Sequence, residues 1–388
     1  MSQPSVYLDH AATTPVRPEV VAAMLPFFTD IPGNPSSLHA FGRAARRAVG
    51  AARDQVAAFI GGQPAEVIFT SGGTEADNLA IRGVVAAARG PRPHVVTTAV
   101  EHHAVLDTCH DLAGGGADVT VLGVDQYGQV DPAAVAAALR PETVLVSVMV
   151  ANNEVGTVQP LAAVAAQAHQ AGVLVHADAV AALGKLPVNV ADLGVDLLSG
   201  SAHKIYGPKG VGFLWVRRGV RLVPVLTGGS QEARVRPGTE NVPGIVGLGQ
   251  AAALAAADLA TETARLAALR DRLVAGLAAA IPGVVQNGHP KQRAPHIANL
   301  SFPGAAAESL LVAMDLLGIA ASAGSACTAG AVEPSHVLAA MGLARQRLFG
   351  AVRFSLGRGT TGGDVDYVVA TLPALVGRLR REQPVAPD

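Results

Sequence analysis

Apolar and polar positions alternate along this chain in two different rhythms. Over residues 18–28 and 38–59 the apolar side chains recur at helical spacing, and Pro32-Gly33-Asn34-Pro35 between them is a turn that no helix crosses. From Glu66 onward the rhythm shortens. Compact β-branched runs at 67–69, 95–98, 119–122, 144–150, 173–175 and 195–198 are separated by mostly helical stretches. Strand, helix, strand repeated in this way predicts an α/β fold, a large domain whose mostly parallel sheet is sandwiched by helices. Residues 213–216 and 221–226 add further strand candidates. A long alanine-rich run from Pro243 to about Ala280 reads as a helix leading to a smaller α+β terminal domain. Its strands are expected at 297–302 and 352–356, and its helices at 307–317 and 364–381.

Composition narrows the function classes. With 388 residues, half of them hydrophobic, the chain can bury a large core. Lys+Arg 29 against Asp+Glu 30 gives a net charge of -1, so there is no electrostatic footprint for nucleic acid or an anionic membrane. No basic, apolar leader opens the sequence, and no run approaches the about 18 uninterrupted apolar residues of a membrane span, so a cytoplasmic location is expected. Two cysteines, Cys109 and Cys327, cannot make a disulfide framework, and neither Cys-x-x-Cys nor His-x-x-x-His occurs, so no metal is expected.

Polar clusters follow the apolar runs. Ser199 to Gly210 places Lys204 just after a strand, among hydroxyls, a histidine and turn-forming glycines. A lysine sequestered there suits an imine to a carbonyl cofactor, and equally an ion pair with a loop carboxylate. Thr70-Ser71-Gly72-Gly73-Thr74-Glu75 follows the first strand and opens a helix. It reads either as an anion site at a helix N-terminus or as a capping box, with Thr74 as cap and Asp77 three residues on. Asp178 stands at the carboxyl end of a buried strand, where it could hold a pyridinium nitrogen or simply cap a helix. Glu101-His102-His103 and Asn152-Asn153-Glu154 lie beyond two further strands. Four consecutive strands ending in such groups outline one site.

These stretches, with Tyr7 to Pro15, Gly33 to Ser37, Arg236 to Asn241, Gly324-Ser325-Ala326-Cys327 and Arg353 to Gly357, resemble the NifS/IscS-type cysteine desulfurases of the class V aminotransferase group, over nearly the whole chain. The resemblance implies pyridoxal 5'-phosphate as cofactor, in the fold of type I enzymes that use it. Lys204 would carry the cofactor and Asp178 would pair with its pyridine nitrogen. Gly73, Thr74, Ser201 and His203 would hold its phosphate, and Thr239 would reach that phosphate from a neighbouring subunit of a homodimer. His102 would stack on the ring and move protons, while Asn153 and Arg353 would receive the substrate carboxylate. Cys327, in a loop of small polar residues, would take sulfur from L-cysteine as a persulfide, release L-alanine, and pass the sulfur to an acceptor protein such as an iron-sulfur scaffold or sulfur carrier. Where the family usually has a glutamine three residues after the aspartate, this chain has Ala181. The expected division is an N-terminal arm at 1–15 packing with the small domain, a large cofactor-binding domain at 16–250, and a small domain at 251–388 bearing the cysteine loop. The alternatives are an aminotransferase or selenocysteine lyase on the same scaffold, or an inactive cofactor-binding scaffold. An aminotransferase has no need of Cys327.

Overall fold

The computed structural model describes residues 5–323 and 334–382; Cys327 lies outside the described residues. Twelve strands are described: β1 (Val6–Tyr7), β2 (Val67–Thr70), β3 (His94–Thr98), β4 (Asp118–Leu122), β5 (Thr143–Ser147), β6 (Leu174–Asp178), β7 (Leu197–Ser201), β8 (Gly212–Val216), β9 (Val285–Asn287), β10 (Ile297–Ser301), β11 (Ile319–Ala320) and β12 (Ala351–Ser355). Seven of them form one sheet in the order β2-β8-β7-β6-β5-β3-β4. The links among β3 to β7 are parallel, and β8 is antiparallel to both its neighbours, β2 and β7. Both being opposed to β8, β2 and β7 run the same way. The carboxyl ends of β2, β3, β5, β6 and β7 therefore share one edge of the sheet.

The strands read as unbroken apolar runs because both faces of this sheet are covered. Alternate side chains feed two cores: Val67, Phe69, Val96, Val146 and Leu198 pack on one face, and Ile68, Val95, Leu145 and Leu197 on the other. The candidate strand at 221–226 does not form. Val223, Val225 and Leu226 are exposed, and the Val223 N–H donates to the Gly83 carbonyl at 3.0 Å, on the helix Gly73–Ala87, instead of to a sheet edge.

A further core surrounds the antiparallel sheet β12-β10-β9 and takes in Val6 and Leu8 from the start of the chain. β1 pairs in parallel with β11, Val6 opposite Ile319, across more than 300 residues of sequence. The helix Val242–Ala280 serves both cores. Ile245, Leu248 and Ala251 are buried in the first, Leu266, Leu273 and Leu277 in the other. By length and composition it could cross a membrane, but this pair of protein contacts accounts for its apolar character.

Candidate active site

The five strand ends that share an edge deliver their polar residues to one cavity of about 380 Å³. Of the predicted site residues that the structure describes, all except Thr239 line it. Lys204 closes a single 3-10 turn, Ala202–Lys204, directly after β7, and the chain is then pinned by Tyr206. Tyr206 has φ 65°, in the left-handed region that a non-glycine residue occupies only when its surroundings hold it there. The hold comes from the N-terminal arm: the Tyr206 N–H donates to Thr14 Oγ1 at 2.8 Å, and the Arg17 N–H donates to the Tyr206 carbonyl at 3.1 Å.

Lys204 Nζ donates to the carbonyls of Ala11 and Ala12, so its hydrogen bonds go to backbone and not to a loop carboxylate. Burial lowers its pKa from 10.5 to about 8, and the nearby Arg353 guanidinium adds to that lowering. A substantial share of the amine is therefore neutral near physiological pH, as a nucleophile or base requires.

The helix Gly73–Ala87 begins without a side-chain cap; Gly72 is its N-cap residue. The capping box expected of Thr74 and Asp77 is absent. Glu75 instead accepts the Ser71 N–H at 2.6 Å and pairs with Arg236 at 2.8 Å, while Asp77 is buried in the cavity wall. The first-turn N–H groups of this 15-residue helix thus face the cavity beside Thr74, an arrangement suited to an anion. Gly73 is needed for close approach: a Cβ there would come within 2.6 Å of Val180 Cγ2. Ser201 and His203 line the same region. His203 is drawn down to about 4, by burial first and then by Lys204 and Lys209, so its ring is neutral.

Asp178 is 6% exposed at the end of β6, and its Oδ1 accepts the Val180 N–H at 2.8 Å. That local bond uses one carboxyl oxygen, and the residue also lines the cavity. His102 caps the helix His103–Gly114, its Nδ1 accepting the Ala104 N–H at 3.1 Å. With Nδ1 acting as acceptor, a neutral ring carries its proton on Nε2. Arg353, on β12, donates to the Asn153 carbonyl at 3.0 Å and pairs with Asp9 at 2.9 Å, while its buried Nε has no hydrogen-bond partner.

Sequence reasoning gave no role to Asp9, Ala11 and Ala12, although they lie in one of the stretches that carry the family resemblance, and it missed Met149 and Ser322, which line the cavity. Thr239 is exposed and lies outside the cavity.

The donor set fits a phosphorylated pyridine aldehyde. A helix N-terminus with hydroxyls suits its anionic end, a buried carboxylate its ring nitrogen, and a lysine of lowered pKa its carbonyl carbon. Fold and cavity together define a lysine-centred α/β enzyme.

The chain belongs to the class V aminotransferase family, whose profile matches residues 6–368, and within it to the cysteine desulfurases of the NifS/IscS type. Cysteine desulfurase IscS of Methanosarcina thermophila is 48% identical over 383 residues, which is 99% of this chain and 95% of that protein. Among solved structures, a NifS-like protein superposes with a TM-score of 0.91 at 36% identity, covering 97% of this chain and 100% of its own. SspA in complex with cysteine superposes with a TM-score of 0.81 at 34% identity, over 91% of this chain and 99% of its own.

Proposed function

We propose that the enzyme converts L-cysteine to L-alanine on pyridoxal 5'-phosphate held in this cavity, passing the sulfur to Cys327 as a persulfide and from there to an acceptor protein. The observation that carries this reading is the meeting of Lys204, Asp178 and Arg353 in one cavity beside an uncapped helix N-terminus. When bound, the cofactor supplies an electron sink for the charge left at the substrate Cα.

The chain's own residues do the rest. The N–H groups at Gly73 and Thr74, with Thr74, Ser201 and His203 side chains, would hold the phosphate; Asp178 would keep the ring nitrogen protonated, and His102 would flank the ring and transfer protons. Lys204, as a neutral amine, would take the Cα proton. Arg353 and Asn153 receive the substrate carboxylate, with Asp9 fixing the plane of the guanidinium fork. The Cys327 thiolate attacks the substrate sulfur. The electron pair of the carbon–sulfur bond stays with Cβ, which gains a proton; a proton is returned to Cα, alanine leaves, and the sulfur remains on Cys327.

Thr239 is assigned to the phosphate of a partner subunit, which makes the active form a homodimer. In support, Thr239 is exposed outside its own cavity, while nearby Arg236 is tied through Glu75 to the helix that bears the anion cradle.

Incubation with L-cysteine and a reductant is expected to give alanine and sulfide in equal amounts. Loss of L-cysteine without sulfide, dependent on a 2-oxo acid that is converted to its amino acid, would make the protein an aminotransferase. Turnover confined to selenocysteine would make it a lyase of that substrate, and the absence of any product would leave a cofactor-binding scaffold.

Two substitutions test the binding roles. Arg353→Lys keeps the charge but loses the planar fork, so KM for L-cysteine is expected to rise on the order of tenfold or more with a smaller change in kcat; an unchanged KM would place the carboxylate elsewhere. Ala181 lines the cavity where the family usually has an amide donor to the cofactor's ring oxygen. A hydrogen bond to a charged group contributes about 1.5–3 kcal/mol, so Ala181→Gln is expected to slow cofactor loss on dialysis by about tenfold or more. Equal rates of loss would mean that another donor already serves that oxygen.

A further inference from the structure

At the cavity floor, three carboxyl groups are buried close together: Asp77 from the helix Gly73–Ala87 and Asp178 from β6, which line it, and Glu101 from the turn after β3, behind them. Burial raises Asp178 above the usual carboxylate range, and the His102 charge, the Val180 N–H and the Lys204 charge oppose that rise. Glu101 has the Thr98 hydroxyl at 2.7 Å and the Met149 N–H at 3.0 Å on one oxygen. Asp77 has much less. It is 1% exposed, its Oδ1 has no hydrogen-bond partner, and the Ser199 hydroxyl is the one side chain that favours its charge.

The only base beside Asp77 among the described residues is His176, whose Nε2 lies 3.6 Å from Asp77 Oδ1. Both nitrogens of that ring are already engaged, Nδ1 with Ser147 Oγ and Nε2 with Ser199 Oγ, each at 2.9 Å. Complete burial drives His176 down to about 3, so it supplies no positive charge. An ionised Asp77 would be a buried anion with a bare oxygen, no cation and two carboxyl neighbours, the arrangement that a protein interior tolerates least.

We propose that Asp77 is a positioning residue that stays protonated and orients a hydrogen-bonded string running Asp77, Ser199, His176, Ser147, so that the negative charge under the cavity is left to Asp178. This rests on the reading of Asp178 as the partner of the cofactor ring nitrogen. The protons can be followed along the string. The Asp77 carboxyl O–H donates to Ser199 Oγ, the Ser199 O–H donates to His176 Nε2, and His176 Nδ1–H donates to Ser147 Oγ. Asp77 Oδ1 is then a neutral carbonyl oxygen, for which lacking a partner costs least. Ionising Asp77 reverses every bond: Ser199 turns its hydroxyl to the carboxylate, His176 must donate from Nε2, and Ser147 must donate to Nδ1. The tautomer of one buried histidine therefore reports the proton on a carboxyl two hydrogen bonds away. Burial and the Asp178 charge hold Asp77 well above the usual carboxylate range, in agreement with that polarity.

The test is nitrogen NMR of holoenzyme labelled with [15N]histidine, followed from neutral to alkaline pH. In the wild type, His176 is expected as the Nδ1–H tautomer at neutral pH, changing to Nε2–H as the pH rises. Asp77→Asn donates from its amide to Ser199 without titrating, so it should keep Nδ1–H throughout. A His176 that carries its proton on Nε2 at neutral pH in the wild type would overturn the proposal. So would an alkaline change that persists in Asp77→Asn. Should the variant fail to fold, the wild-type tautomer at neutral pH still decides. Cofactor retention in Asp178→Asn tests the Asp178 reading separately, because the tautomer follows the Asp77 proton whether or not that reading stands.

Discussion

Lys204→Ala is expected to reduce alanine formation from L-cysteine by on the order of 10³-fold or more and to remove the visible absorption of bound cofactor. The size of the effect follows from geometry. Lys204 is the only lysine lining the cavity, and the other buried lysine, Lys185, packs its Nζ 4.8 Å above the Tyr206 ring, away from it. The substitution opens no core cavity, since the Lys204 ammonium lies against the carbonyls of Ala11 and Ala12, beside the open site. Folding should therefore survive, and a melting curve close to that of the wild type checks this. The lowered pKa adds a sign. An amine whose value in the fold is about 8 becomes a nucleophile two units sooner than an ordinary lysine, so cofactor uptake by cofactor-free protein should accelerate as pH rises through about 8. Uptake that accelerates only near pH 10 would show that the amine is not desolvated as described.

Cys327→Ser is expected to bind L-cysteine yet lower alanine formation by several orders of magnitude, because a hydroxyl cannot accept sulfur as a persulfide. The chain has two cysteines. Cys109 sits 1% exposed inside the helix His103–Gly114, and burial pushes its thiol up to about 12, so it is closed to substrate and scarcely ionised. Ser322, which lines the cavity and bridges to Arg353, stands five residues before Cys327. Five residues of extended chain reach at most about 18 Å, which is enough to return a side chain to the substrate. Mass spectrometry after L-cysteine should find one added sulfur on Cys327 in the wild type and none in Cys327→Ser. Undiminished alanine formation by Cys327→Ser would remove Cys327 from the reaction, and the same loss from Cys109→Ser would transfer the role.

The sequence alone determined the strands of the large sheet and the pair β10 and β12, because each buried run had to be apolar on both of its faces, while the short β1, β9 and β11 carried no such run. It placed polar residues at their ends as well, and these are the residues that line the cavity. It was silent on partners. An apolar run does not encode which strand it pairs with or in which direction, so β8 could not be known to run antiparallel, and the run at 221–226 could be read as a strand although it lies exposed against a helix. The alternatives of an ion pair at Lys204 and a capping box at Thr74 were likewise removed by contacts. Lys204 meets carbonyls 193 and 192 residues away, and the capping box fails because Asp77 is drawn into the cavity wall and Glu75 is taken by Arg236. Asp9 reaches Arg353 across 344 residues. Hydrophobic periodicity records whether a side chain is buried, and spacing records what is local; which distant group completes a hydrogen bond is fixed only when β1 docks on β11 and brings the start of the chain to the site.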